Sequence, residues 1–227
     1  EYRKTEIMIS KEAHLLAYLE EFITQERKER FTQILSQRTE HFTVAIEDLF
    51  QVHNTSAVVR TCEVFGVQTA HIIEEKYGKR LDSKIAMGAE KWVTTIRYPH
   101  TQPCIEALRG QGYRIVATVP APGATPLQEF DITPKSAFFF GTERDGLSQE
   151  VISQADECLT IPMVGFTESL NISVSVAIIL QYVTAKLRAS CIPWQLSPQE
   201  ELLLRLQWTK NSIRSLTDVL SRYESLQ

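Results

Sequence analysis

The chain has 227 residues, 43% of them apolar and 23% charged, which is typical of a globular protein with one domain of doubly wound size and terminal additions. Its 28 acidic residues outnumber its 24 basic residues, and the formal net charge is −4 at pH 7. This balance excludes a generally basic nucleic-acid binder, so any surface for RNA has to be local.

The N-terminal segment is the best candidate for such a local surface. Residues 11–37 contain neither Pro nor Gly, which predicts one or two helices. Arg27, Arg30 and Arg38 recur at spacings that put all three within reach of one helix side. Neighbouring glutamates dilute this charge, and the pattern alone favours a solvated helix face of mixed charge.

Strands and helices alternate through the middle of the chain. Apolar runs predict strands at residues 43–49, 69–73, 113–119, 137–140 and 158–161. Helical periodicity and end signals predict helices at residues 54–65, 104–110, 148–155 and 171–189. This alternation predicts an α/β fold with a mostly parallel sheet and flanking helices.

A helical segment is also predicted at the C-terminal end. Pro193 and Pro198 interrupt the chain, and residues 199–223 then read as helix. We expect an apolar stripe along this segment, formed by Leu202, Leu203, Leu206, Ile213 and Leu216.

Two strand-to-helix turns are the best candidates for a binding site. The first, GTERDGL at residues 141–147, directly follows the apolar run AFFF. The second, IPMVGFTESL at residues 161–170, contains Pro162 and Gly165 and precedes a long apolar helix that Asn171 can cap. Such loops can present bare peptide groups to a ligand. Because the carboxyl ends of parallel strands share one sheet edge, both turns should face the same ligand.

A nucleotide-like ligand would find an apolar slot at this edge. The candidate binding residues fall at strand ends or in the loops that follow: Thr118, Gly141, Ile161, Met163 and Leu170. A dinucleotide fold of the Rossmann type is excluded because no G-x-G-x-x-G follows the first strand. A P-loop is excluded because no Lys-Ser or Lys-Thr follows the glycines at 141 and 146.

The cysteines give no sign of a metal or disulfide framework. They lie far apart without a C-x-x-C pair, which predicts four structural thiols in a reducing, cytoplasmic setting: Cys62, Cys104, Cys158 and Cys191. No apolar run approaches the roughly 20 residues that span a bilayer. We therefore expect a cytoplasmic protein with no membrane contact.

Together with NTSAVVRT at residues 54–61, the two loops resemble the three motifs of the SpoU/TrmH family of SPOUT methyltransferases. The resemblance covers about the middle two thirds of the chain. It implies RNA ribose 2′-O-methylation, S-adenosylmethionine bound at the five candidate residues, a C-terminal deep trefoil knot and a homodimer. It also implies that no metal takes part, because the sulfonium is already a strong methyl donor.

The resemblance further assigns a catalytic set, namely Arg60, Asn54, Glu143 and Asn171. Arg60 is the family's candidate base, but a protonated guanidinium can instead bind a phosphate and stabilise the developing alkoxide. Asn54 caps its helix or holds Arg60, and Asn171 caps its helix or contacts the substrate. Glu143 lies in a loop, where a carboxylate has no packing role in the core. We therefore expect it to orient Asn54, Arg60 or the ribose.

The flanks suggest the substrate. The predicted organisation is an RNA-contacting helical extension at residues 1–42, a methyltransferase domain at 43–190 and a helical extension at 191–227. These flanks resemble those of the TrmH enzymes that methylate the D-loop guanosine of tRNA, which implies that Arg27, Arg30, Arg38 and His53 contact tRNA. An rRNA methyltransferase and an inactive RNA-binding module are the alternatives.

Overall fold

The computed structural model describes residues 2–47, 52–74, 88–142 and 145–225. The chain divides into two compact units. One, here called the helical unit, combines residues 1–38 with residues 195–227, and the other, the sheet unit, comprises residues 39–194. The sequence predicts two separate extensions, whereas the structure places both terminal segments in the same unit.

In the residues that the structure describes, the sheet unit contains seven parallel strands. These are β1 (Phe42–Glu47), β2 (Thr69–Ile73), β3 (Thr94–Tyr98), β4 (Arg114–Thr118), β5 (Thr125–Pro126), β6 (Ser136–Phe140) and β7 (Glu157–Thr160). Their order across the sheet is β3-β2-β1-β6-β4-β7-β5, and every adjacent pair is parallel. The two central strands β1 and β6 are buried along their whole length, as expected where helices cover both faces.

Helices cover the two faces of this sheet. One face packs against α3 (Val52–Phe65) and, after β7, the long helix α6 (Ile172–Arg188), which also contact each other. The other face packs against α4 (Thr101–Gly110) and the short α5 (Gln149–Gln154). Short 3₁₀ turns at Ala89–Lys91 and Leu127–Glu129 connect further segments. The predicted α/β fold with a parallel sheet is therefore confirmed.

The helical unit consists of α1 (Tyr2–Glu20), α2 (Gln25–Leu35), α7 (Pro198–Ser212) and α8 (Leu216–Ser225). Its small apolar core contains Leu16, Leu19, Leu206 and Val219. Thr24 caps α2, and Ser197 with Glu200 forms a capping box on α7.

Most strands and helices of the sheet unit lie where the sequence pattern predicts them. β2 has the predicted bounds, and the other strands and helices predicted between residues 43 and 189 are present with ends that differ by up to three residues, although residues 48 and 49 of the first predicted strand lie outside the described part. The helical segment predicted at residues 11–37 is two helices, and the first of them begins earlier, at Tyr2. The sequence missed β3 and β5, whose residues are polar or partly exposed. The prediction of one helical segment at residues 199–223 was wrong, because α7 ends at Ser212 and α8 begins at Leu216. Leu203 also departs from the expected stripe, since its side chain is exposed.

Candidate active site

A pocket of about 410 Å³ lies at the carboxyl ends of β4, β6 and β7. Three loops supply its walls, namely the segments that follow these strands, and the first turns of α6 close one side through Ile172, Ser175 and Ile179. The volume is within the range of small-ligand sites, and its position agrees with the rule that open α/β sheets bind ligands at strand carboxyl ends.

The loop after β6 has a tightly fixed main chain. The backbone N–H of Thr142 donates to the carbonyl of Gly146 at 3.0 Å, and the Gly146 N–H donates back to the Thr142 carbonyl at 3.0 Å. The Thr142 hydroxyl also accepts the Asp145 N–H at 2.9 Å. A Cβ at Gly141 would meet the Gly146 carbonyl oxygen at 2.0 Å, so only glycine fits at residue 141. Gly146 has a φ of 69°, which favours glycine there as well.

The loop after β7 is more exposed. Val164 and Phe166 project fully into solvent, while Ile161, Met163 and Leu170 turn toward the pocket and are only partly covered. Deeper in the pocket, Leu159 and residues of α6 provide a buried apolar floor. An apolar slot with open peptide groups at its edge suits a planar heterocycle.

The described part of the pocket lining carries negative charge. Among the lining residues that the structure describes, Asp145 and Glu168 are charged and carry carboxylates, and the lining contains neither Lys nor Arg. Both side chains are exposed. Thr118 joins the pocket wall to the sheet, because its hydroxyl donates to the Phe139 carbonyl at 2.7 Å. The described lining therefore favours a ligand that is apolar on one part and positively charged on another.

All five residues that the sequence proposes for cofactor binding line this one pocket: Thr118, Gly141, Ile161, Met163 and Leu170. They come from three different loops, separated by up to about fifty residues. The structure brings them together without showing a ligand, so their role stays a prediction.

The four residues predicted to be catalytic are less clustered. Asn54 and Arg60 both lie on α3, Asn54 buried and Arg60 exposed. Six helical positions turn through about 600°, which leaves these two side chains roughly 120° apart around the helix. Neither is part of the described pocket wall. Glu143 lies outside the described residues.

The two helix-cap expectations have different outcomes. Asn171 is the N-cap of α6, since its Oδ1 accepts the Ser173 N–H at 2.9 Å and the Ser173 hydroxyl at 2.6 Å. Asn54 cannot be the N-cap of α3, because the helix already includes Val52 and His53. Asn54 is therefore the third residue of α3, within its first turn.

Asp145 and Glu168 line the pocket but were not among the residues predicted from the sequence. Both lie inside the two loops that it singled out, so the signal was present in the turn pattern. What the pattern lacked was the direction of each side chain, which depends on how the loops fold back over the strand ends.

The expected RNA-contacting residues separate in the structure. Arg27 and Arg30 are exposed on α2. The expectation that Arg38 shares their helix side is wrong, because Arg38 follows the end of α2 and is only 1% exposed. Its guanidinium lies over the Trp208 ring, 5.3 Å from the centroid. His53 lies within α3 rather than in a loop, and its side chain is outside the described part.

The described ranges lack two further features, a cluster of metal-binding side chains and a membrane-spanning helix. No group of three or more His, Cys, Asp or Glu side chains there is arranged to hold a metal ion. None of the helices in that part of the chain is long and apolar enough to cross a membrane.

Comparisons with known proteins agree with the geometry. A family model described as the SpoU rRNA Methylase family matches residues 41–181. A tRNA (guanosine(18)-2′-O)-methyltransferase of Borreliella burgdorferi is 39% identical over 200 residues, which covers 88% of this chain and 92% of the relative. An enzyme of the same name from Thermus thermophilus is 34% identical over 157 residues, 69% of this chain and 81% of the relative.

A solved structure shares most of the fold. The crystal structure of a TrmH/SpoU tRNA modifying enzyme from A. aeolicus superposes with a TM-score of 0.76 at 27% identity, covering 83% of this chain and 98% of that one. The region matched by the family model includes the pocket loops and the part of α3 that carries Asn54 and Arg60.

Proposed function

Because the chain belongs to the SpoU methylase family, we propose that it transfers a methyl group from S-adenosylmethionine to a ribose 2′-hydroxyl of tRNA. The B. burgdorferi and T. thermophilus relatives are named for guanosine 18, and this D-loop guanosine is the proposed target. The observation that carries the proposal is the pocket, in which residues of three separate loops, two of them motif loops, form one cavity.

The described pocket wall fits this donor in shape and charge. The adenine would occupy the apolar slot beside Ile161 and Leu170, where open peptide groups can bond its polar edge. The sulfonium carries a positive charge, and Asp145 with Glu168 supplies the negative charge that favours it. The donor thus meets apolar and acidic groups where each is needed.

The chemistry requires alignment and charge stabilisation. The 2′-oxygen forms a bond to the methyl carbon, the bond between that carbon and sulfur breaks with its electron pair going to sulfur, and the hydroxyl proton passes to solvent water. S-adenosylhomocysteine, with an uncharged sulfur, is the second product. The enzyme accelerates this step by holding the oxygen in line with the methyl group and by stabilising the oxygen's growing negative charge.

Arg60 is the proposed stabiliser of that charge. It is exposed on α3 and therefore accessible to an RNA backbone. A guanidinium stays protonated at neutral pH, so it serves better as a bidentate phosphate ligand and charge stabiliser than as a base. Asn54 would support α3 from its buried side, Asn171 would fix the start of α6, and Glu143 would orient the ribose.

We further propose that the sheet unit forms a homodimer. Val174 and Ile178, one turn apart on α6, expose apolar side chains, whereas Val176 and Ile179 between and beside them are buried. A second copy is the proposed occupant of this face, because the resemblance to the SpoU/TrmH family implies an active site that is completed across a dimer. Changing Ile178 to Glu should convert a dimer into a monomer in light scattering, and a wild type that is monomeric and active at micromolar concentration would contradict it.

The C-terminal part of the sheet unit is proposed to carry the trefoil knot of this fold. Its support is the family membership together with two long loops that meet over one pocket after β6 and β7. Tracing the path of residues 141–190 in a crystal structure tests this proposal.

The helical unit is proposed to contact tRNA. Arg27 and Arg30 are its candidates, since both are exposed on α2 one turn apart, while Arg38 contributes to the unit's interior against Trp208.

A methyl-transfer assay tests the proposed function. Radiolabelled S-adenosylmethionine should label an unmodified tRNA transcript, and the label should disappear when guanosine 18 carries a 2′-deoxyribose. Purified rRNA serves as the competing substrate, and its preferential labelling would establish the rRNA alternative. Donor binding without transfer to either RNA would instead favour an inactive RNA-binding module.

A further inference from the structure

A buried carboxylate lies at the carboxyl end of β1, next to the strand that leads into the pocket loop. Glu47 is the last residue of β1 and is only 5% exposed. Removing a carboxylate from water costs several kcal/mol unless hydrogen bonds replace the lost hydration. Its partners therefore show what this carboxylate holds in place.

Glu47 accepts three hydrogen bonds from two other segments. The Ser148 N–H donates to Oε2 at 2.8 Å, and the Ser148 hydroxyl donates to Oε1 at 2.7 Å. The Thr101 hydroxyl donates to the same Oε1 at 2.6 Å. Thr101 is the first residue of α4, and Ser148 is the N-cap of α5, where its oxygen accepts the Val151 N–H at 3.3 Å. One side chain thus joins β1 to the starts of two helices.

Ser148 is also the residue at which the pocket loop ends. The loop leaves β6 at Phe140, a residue that pairs directly with Ile46 on β1. It then runs through residues 141–147 and reaches Ser148. All the described residues of this loop line the pocket. Both ends of the loop are consequently fixed to the last two residues of β1, one by strand pairing and the other by the Glu47 carboxylate.

The Glu47 carboxylate also acts on a neighbouring thiol. Burial and, second, the negative charge of Glu47 raise the pKa of the neighbouring Cys104 thiol to about 12. Cys104 therefore stays a neutral thiol. The Glu47 carboxylate beside it accepts hydrogen bonds at both oxygens. Hydrogen bonds to a charged acceptor are stronger than bonds between neutral groups, which suits a group that must hold a loop.

We propose that Glu47 is a positioning residue for the donor pocket, acting through Ser148 to hold the 141–147 loop in its binding conformation. Glu47 is not itself among the described pocket-lining residues, so it does not touch the donor. This inference rests on the proposed function, because it takes the pocket as the site of S-adenosylmethionine. A loop fixed before binding loses less conformational freedom when the ligand arrives, which increases affinity.

A matched pair of hydroxyl deletions distinguishes this role from a general structural one. Ser148→Ala and Thr101→Val each remove one hydroxyl donor to Glu47, but only Ser148 adjoins the pocket loop. Glu47→Gln leaves one acceptor oxygen where the carboxylate has two. Ser148→Thr keeps the hydroxyl and should restore both the bond and the helix cap.

Calorimetry with S-adenosylmethionine and S-adenosylhomocysteine is the first readout. We expect Glu47→Gln and Ser148→Ala to weaken both ligands by about fivefold or more, the loss of roughly one hydrogen bond's contribution. Thr101→Val and Ser148→Thr should stay within about twofold of the wild type. Equal weakening by Thr101→Val at an equal loss of thermal stability would overturn the proposal, because the effect would then be general.

Amide hydrogen exchange in the ligand-free protein is the second readout, and it does not depend on the proposed function. The Thr142 and Gly146 amides, which bond each other's carbonyls, should exchange faster in Glu47→Gln and Ser148→Ala but not in Thr101→Val. Unchanged exchange in Ser148→Ala would overturn the positioning role. If the wild type binds no S-adenosylmethionine while the loop amides respond as expected, the proposed function fails and the positioning of the loop by Glu47 stands.

Discussion

The pocket and helix α3 differ in how completely one copy of the chain builds them. The pocket has an apolar floor, acidic edges and a main chain fixed by reciprocal hydrogen bonds between Thr142 and Gly146. On α3, by contrast, Arg60 projects into solvent and Asn54 is buried on a different side of the helix. The described residues of one copy thus form the proposed donor pocket, whereas the Arg60 side chain has a surface position at which RNA is proposed to bind.

This difference teaches that donor binding and methyl transfer can be separated by substitution. Pocket variants should change the affinity for the donor, and variants of α3 should change the rate of transfer. The predictions that follow test that separation, beginning with the largest expected effect.

Replacing Arg60 with Ala should reduce methyl transfer to tRNA by about a hundredfold or more, which corresponds to about 2.7 kcal/mol of lost transition-state stabilisation. The affinity for S-adenosylmethionine should stay nearly unchanged, because Arg60 is not part of the described pocket wall. Arg60→Lys should recover little of the rate, since an ammonium cannot form the bidentate contact. Single-turnover transfer and calorimetry measure the two effects.

The matched control is Arg109→Ala, which removes an arginine from α4 that bonds the Gln154 carbonyl and Asp156 instead. It should transfer methyl groups at nearly the wild-type rate. A normal rate in Arg60→Ala would show that Arg60 is an ordinary surface residue.

Replacing Leu170 with Asp should weaken S-adenosylmethionine by about tenfold, because a carboxylate would stand in the apolar slot proposed for the adenine. Ile161→Asp should act in the same way. Leu203→Asp, at an exposed leucine of the helical unit, is the control and should leave donor affinity unchanged. Calorimetry on folded variants measures this, and unchanged affinity in Leu170→Asp would assign the adenine elsewhere.

Removing both pocket carboxylates should shift the preference between donor and product. The double variant Asp145→Asn with Glu168→Gln should lose about twofold to fivefold in affinity for S-adenosylmethionine, since exposed charges interact by at most about 1 kcal/mol. S-adenosylhomocysteine lacks the sulfonium charge and should lose less. Glu129→Gln, an exposed glutamate outside the pocket, is the control. An equal loss for both ligands would contradict the charge argument.

The smallest effect is expected in the helical unit. Changing Arg27 and Arg30 together to Ala should weaken tRNA binding and lower its salt slope by about 1 to 2, because up to two fewer phosphate contacts release fewer counterions. Donor affinity should not change. Filter binding over a series of salt concentrations measures the slope, and a slope equal to that of Arg109→Ala would remove both arginines from the tRNA surface.

The sequence predicts those parts of the molecule that depend on local pattern. Apolar runs locate the central strands, and turn chemistry locates two of the three pocket loops. The five residues proposed to bind the donor lie in these two loops or at a strand end. The strand Thr94–Tyr98 escapes detection because it lies at the sheet edge and only half of its residues need to be apolar. Pattern of this kind covers most of the sheet and most of the pocket.

Contacts between distant segments could not be predicted in the same way. The burial of Arg38 depends on Trp208, about 170 residues later in the chain, and no periodicity near Arg38 reports it. The Glu47 carboxylate likewise gains its partners from α4 and α5. In both cases a charged residue looks like a surface residue until the tertiary structure supplies its neighbours.

At Gly141 the pocket wall has no room for a side chain, because its main chain almost touches that of Gly146. The wall there consists of main chain, so the polar edge of the proposed ligand would contact atoms that every amino acid possesses. A substitution at position 145 changes a side chain of this wall and leaves its main-chain atoms in place. Any substitution at position 141 adds a side chain that forces the main chains at residues 141 and 146 apart.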